Sequence, residues 1–133
     1  MHSHNVLHRD IKSDNILCRP NGDIKIADMG FSVFLSEKED HMTMKGTPAW
    51  MSPEISEGIT HSKGTDIYSF GCLAHELATG LPPFAAESKD KYTLMYKTIN
   101  EQVPRIPEKW SDSFADFIDK CLIKDPAQRW TIE

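Results

Sequence analysis

Apolar and polar positions follow two different rhythms along the chain. Over residues 23–27 the order Asp-Ile-Lys-Ile-Ala puts an apolar side chain at every second place, which predicts a short strand around Ile24 and Ile26. Ile16-Leu17-Cys18 supplies a first strand ahead of it. Pro20-Asn21-Gly22-Asp23 lies between them as a hairpin turn, with Gly22 able to take the positive φ such a turn needs. Val6-Leu7 and part of 31–35 read as further short strands. The second half changes period. Phe114, Phe117, Ile118, Cys121 and Leu122 recur at i, i+3, i+4, i+7 and i+8, one helical face for packing. Residues 89–100 form a moderately amphipathic helix. Between 65 and 79 the apolar residues Ile67, Phe70, Cys72, Leu73, Ala74, Leu77 and Ala78 leave few polar sides, so that helix is expected to be buried. Ser62 is its N-cap, and Gly80 with Pro82-Pro83 beyond it ends it. Trp110 and Trp130 are read as packing residues. The fold class is therefore mainly α with a small β-hairpin.

One residue does not suit this pattern. Asp66 stands inside the buried helix, where a carboxylate needs hydrogen-bond donors. Either it sits in an exposed first turn, favoured by the helix dipole, or backbone N–H groups of the 8–10 turn reach it. Residues 36–45 are polar and mixed in charge, which reads as a loop.

Composition narrows the picture. The 133 residues amount to about one domain, 39% hydrophobic and 26% charged, with a net charge of −5. That charge gives no footprint for nucleic acid or an anionic membrane, and no apolar run approaches the roughly 20 residues of a membrane span. Cys18, Cys72 and Cys121 are three in number, without Cys-x-x-Cys spacing, so free thiols and a cytoplasmic setting are expected. His2, His4 and His8 lack the spacing of a zinc site.

The chemistry concentrates in His8-Arg9-Asp10-Ile11-Lys12-Ser13-Asp14-Asn15, followed by Asp28-Met29-Gly30 and by Gly46-Thr47-Pro48-Ala49-Trp50-Met51-Ser52-Pro53-Glu54. With Asp66-Ile67-Tyr68-Ser69-Phe70-Gly71 and Asp125-Pro126-x-x-Arg129, these resemble the C-terminal lobe of a eukaryotic protein kinase. Lys12 and Gly46-Thr47-Pro48 are similar to serine/threonine kinases, and the wording around them looks most like the STE group and its PAK-like members. The resemblance covers nearly the whole chain, making 1–133 a partial kinase domain with 28–54 as its activation segment.

The resemblance implies ATP and Mg²⁺ as cofactors and serine or threonine of protein substrates as acceptors. Asp10 is then the base, Lys12 the cation beside the transferred phosphate, and Asn15 and Asp28 the metal ligands. Leu17 lies on the adenine side, and Thr47 bridges Asp10 and Lys12. Asp66 anchors the catalytic-loop backbone, and Arg129 pairs with Glu54. Thr43 is the expected phosphosite, with Arg9 as the cation that would receive the phosphate. An upstream kinase or a small GTPase is an implied partner. Met29 stands where the family has Phe and Ser52 where it has Ala. Met29 is expected to pack beside His8, whose own role is that of a structural anchor. The Gly-rich loop and the ATP-holding strand lysine are missing, so the N-terminal lobe is expected to be absent, leaving apolar surface uncovered near Leu17 and the buried helix. The alternative is a non-catalytic fragment that acts as a binding or competitor module.

Overall fold

The computed structural model describes residues 1–36 and 44–132. Four short strands come first: β1 (Val6–Leu7), β2 (Ile16–Cys18), β3 (Ile24–Ile26) and β4 (Val33–Phe34). Four helices follow: α1 (Pro53–Ser56), α2 (Lys63–Thr79), α3 (Lys91–Asn100) and α4 (Asp112–Cys121). Single 3₁₀ turns occupy His2–His4, Ser13–Asn15 and Pro48–Trp50. The architecture is mainly helical with small two-stranded sheets, as the residue pattern implied.

The expected hairpin forms. β2 and β3 pair antiparallel, with Ile16 opposite Ile26 and Cys18 opposite Ile24, and Gly22 turns the chain at φ 88°. A second pairing had no signal in the sequence: β1 lies antiparallel to β4, Leu7 opposite Val33. Both of those side chains are buried, and this pairing closes the loop that carries every residue between them. The hairpin itself stays uncovered. Leu17, Ile24 and Ile26 are all exposed, so its period of two marks a strand without marking a buried face.

Helix α2 is the spine of the molecule. Ser62 and Thr65 form a reciprocal capping box at its start, and Gly80 ends it in the left-handed region. The expectation of a helix buried on nearly all sides holds in part only. Tyr68, Cys72, Ala74 and Ala78 enter the core with Ile106, Ile118 and Leu122. Leu77, in contrast, is 72% exposed, and Phe70 is half-exposed and meets Phe117 edge to face. α2 is apolar on more sides than the described residues cover. Burial raises the Cys72 thiol well above its ordinary range and pushes the Cys121 thiol up to about 11, whereas Cys18 is exposed.

Gly71 sets the distance between α2 and α4. A Cβ there would lie 2.8 Å from the Cβ of Cys121 and 2.9 Å from Leu122 Cδ2. Gly71→Ala would gain about 1 kcal/mol of helix propensity, but overpacking costs about 1–3 kcal/mol. The nearest neighbour is a Cβ that cannot swing away, so the steric term wins. The expected outcome is a lower urea midpoint with an unchanged denaturant slope.

Candidate functional site

The site is built on a strained turn. Arg9 has φ 67°, a left-handed conformation that a residue with a Cβ rarely adopts. The carboxylate of Asp66, only 2% exposed on α2, holds it there. It accepts the backbone N–H of His8 at 2.8 Å and of Arg9 at 2.9 Å. The exposed-first-turn alternative for Asp66 is thereby replaced by the anchoring arrangement. A further contact was not legible in the sequence: His2 Nε2 lies 2.8 Å from the same carboxylate. Nothing in a polar N-terminal stretch marks a partner 64 positions away.

From that turn Asp10 projects into a cluster of donors. The hydroxyl of Thr47 donates to Asp10 Oδ1 at 2.6 Å, and Lys12 Nζ donates to Thr47 Oγ1 at 2.8 Å. Lys12 Nζ is also 3.1 Å from Asp10 Oδ2. Asn15 donates its Nδ2 to the Asp10 carbonyl at 2.8 Å and reaches Asp10 Oδ2 at 3.3 Å. Asp10 and Asn15 are each 6% exposed. Gly46 makes the approach of Thr47 possible: at φ 126°, a Cβ on it would sit 2.9 Å from the Arg9 carbonyl oxygen.

A second loop is fastened to the first by backbone and by His8. Ala27 donates its N–H to the Asn15 carbonyl at 2.8 Å, extending the hairpin ladder by one bond. His8 is fully buried; Nε2 faces the Ala27 carbonyl at 2.9 Å and Nδ1 accepts the Asp10 N–H at 3.3 Å. That pair of partners assigns the proton to Nε2. Asp28 follows directly in the left-handed region at φ 58°, exposed, with Gly30 N–H on its Oδ1 at 3.1 Å. Met29 is 50% exposed, and its sulfur takes the Ser32 hydroxyl. His8 is fixed here by backbone groups of Asp10 and Ala27.

Arg129 and Glu54 form a buried two-pronged ion pair at 2.8 and 3.0 Å. Burial alone would raise the Glu54 carboxyl, but the guanidinium's hydrogen bonds and charge outweigh it and hold the group below its ordinary value. Arg129 also donates to the carbonyls of Gly64, Ile123 and Lys124, so it ties the start of α2 to the C-terminal end of the chain. Thr43 lies outside the described residues. Arg9 directs its Nε to the Phe31 carbonyl.

The family model for the protein kinase domain matches residues 1–133. The chain belongs to the protein kinase domain family. It is 39% identical to the serine/threonine-protein kinase max-2 of Caenorhabditis elegans, over 97% of this chain and 20% of that protein. It is 42% identical to the probable serine/threonine-protein kinase mkcC of Dictyostelium discoideum, over 100% of this chain and 15% of that one. It is 39% identical to pakB of the same organism, over 97% of this chain and 15% of the relative. The kinase chain thus spans a fifth or less of the length of these relatives.

Kinase domains as a family use ATP with a divalent cation, and the oxygen donors here suit a hard cation. Asn15 spends its NH₂ on Asp10, which leaves the amide oxygen Oδ1 without a described partner. Asp28 keeps Oδ2 open in the same way. Among the described residues no helix is long and apolar enough to cross a membrane.

Proposed function

We propose that this chain is the C-terminal lobe of a serine/threonine protein kinase, PAK-like and of the STE group, acting on serine or threonine hydroxyls of protein substrates. The observation that carries the reading is the Thr47 hydroxyl, shared between Asp10 at 2.6 Å and Lys12 at 2.8 Å. It sets a carboxylate and an ammonium side by side in one fixed register. Asp10 accepts the proton of the attacking hydroxyl. Its two oxygens offer about four acceptor sites, and the bonds from Thr47, Lys12 and Asn15 leave room for one more. Lys12 holds a positive charge where negative charge grows on the transferred group. Asn15 Oδ1 and Asp28 Oδ2 would hold the metal, and Leu17, 57% exposed on β2, would meet the adenine. Bound Mg²⁺·ATP supplies the phosphoryl group and the divalent charge that offsets it.

Regulation follows the same electrostatics. Phosphate on Thr43 would add about −1.5 to −2 charge, and Arg9 is the proposed receiver. Phosphate on Thr47 would break the Asp10–Lys12 bridge and inactivate. Cytoplasmic location and an upstream kinase or small GTPase as partner belong to the same proposal.

The test is Mg²⁺-dependent ATP binding by calorimetry, with and without Asp28→Asn. The expected result is a metal-dependent signal that the substitution abolishes, with the urea midpoint unchanged because Asp28 is exposed. Equal binding in both proteins removes Asp28 as a ligand. No metal-dependent binding in either favours the non-catalytic binding module.

A further inference from the structure

We propose that Glu76 is a positioning residue that locks the turn carrying Lys12 and Asn15 to the segment carrying Thr47. Its carboxylate has two prongs in use. Oε1 accepts the Ser13 hydroxyl at 2.7 Å, and Oε2 accepts the indole N–H of Trp50 at 3.1 Å. Ser13 directly follows Lys12 and opens the 3₁₀ turn that ends on Asn15. Trp50 ends the Pro48–Trp50 turn, and its backbone N–H donates to the Thr47 carbonyl at 2.9 Å. Helix α2 grips Trp50 a second time, through the Ser69 hydroxyl on its carbonyl oxygen at 2.8 Å.

The stripe on α2 explains the design. Ser69 and Glu76 lie three and ten positions after Asp66, which is one face of a helix. Asp66 fixes the 8–9 backbone, Ser69 fixes the 50 backbone, and Glu76 ties the two side chains together. An ionised acceptor makes both of its bonds about twice as strong as neutral ones. Both donors are neutral, so they orient the carboxylate without neutralising it. The Thr47–Asp10 contact of 2.6 Å depends on the register of these two segments, and a misplacement of about 1 Å at a reacting group can cost about 10²-fold in rate. The kinetic consequence rests on the phosphoryl-transfer reading above; the mechanical coupling does not.

The experiment uses the ¹⁵N-labelled 133-residue chain and follows the Trp50 indole N–H and the Ser13, Lys12 and Thr47 amides by NMR, alongside steady-state peptide phosphorylation. Ser13→Ala is expected to move the Trp50 indole signal and leave those of Trp110 and Trp130 in place. Trp50→Phe is expected to move the Ser13 and Lys12 amides. Glu76→Gln should preserve both sets, because its amide oxygen accepts from Trp50 and its NH₂ donates to the Ser13 oxygen. Glu76→Ala should lose both and lower kcat about tenfold, with the peptide KM changed less than about twofold.

If Ser13→Ala and Trp50→Phe each leave the opposite segment's signals unmoved, the coupling is absent and the proposal falls. If Glu76→Gln disturbs the signals as Glu76→Ala does, the charge acts and not the two-pronged geometry, which also overturns it. Full kcat in Glu76→Ala, in a chain that phosphorylates peptide, removes the positioning role. Cross-segment shifts in a chain with no detectable transfer would uphold the coupling and defeat the phosphoryl-transfer reading instead. Should Glu76→Ala fail to fold, the Ser13 and Trp50 variants decide.

Discussion

Replacing Asp10 by asparagine is expected to lower phosphoryl transfer to a seryl or threonyl peptide by about 10²–10⁴-fold, the usual worth of a positioned proton acceptor. The substitution changes one oxygen to NH₂ and little else in shape. Every near neighbour of that carboxylate is a donor: Thr47 Oγ1, Lys12 Nζ and Asn15 Nδ2. An amide therefore sets at least one donor against another donor, and it cannot accept the substrate's proton in the ionised sense. The loss should fall on kcat, with the Mg²⁺·ATP affinity nearly unchanged, since the proposed metal ligands are Asn15 and Asp28. The measurement is a steady-state peptide assay with both parameters resolved. Activity within a few-fold of the parent would assign proton acceptance elsewhere.

Much of this site was legible because its parts are local. The 8–15 run carries an Asp, a Lys and an Asn at fixed offsets, and a short 3₁₀ turn is enough to bring Asn15 back onto the Asp10 carbonyl. The hairpin between Asn15 and Asp28 was legible for the same reason, through its turn residues. What escaped is long-range and made by single side chains. The β1–β4 pairing joins two-residue strands too short for a period to register. The His2–Asp66 contact and the Ser13–Glu76–Trp50 clamp join residues far apart in sequence that lack any mutual pattern. Helix α2 was misjudged in its outer face because hydrophobicity reports what a side chain would bury, whereas exposure of Leu77 depends on what the chain offers to cover it. Asp66 could be placed in the sequence only as one of two options. Its partners are backbone N–H groups, which every residue carries and no residue type announces.

Replacing Arg129 by leucine should cost about 3–5 kcal/mol of stability, because it leaves Glu54 as a buried carboxylate without its cation. Glu54 is 5% exposed and Arg129 4%, so water cannot take over the lost bonds. The carbonyls of Gly64, Ile123 and Lys124 lose their donor in the same step, which places the expectation toward the upper end. The sign of the pH dependence provides a second, sharper reading. In the parent chain the Glu54 carboxyl is held below its ordinary value of 4.5. The folded state then binds fewer protons than the unfolded one, so this pair stabilises fully above that value and its contribution is lost as the pH falls through the lowered one. In Arg129→Leu the desolvation remains while the opposing guanidinium is gone, so the carboxyl rises above its ordinary value. Protonation now relieves a buried charge, and the variant should lose stability as the pH rises through that range. Urea midpoints measured for both proteins at about pH 4 and about pH 7 should therefore move in opposite directions. Parallel movement would mean that the buried guanidinium does not control Glu54. A further change to Glu54→Leu in the Arg129→Leu background should recover part of the loss, since two apolar side chains no longer strand a charge.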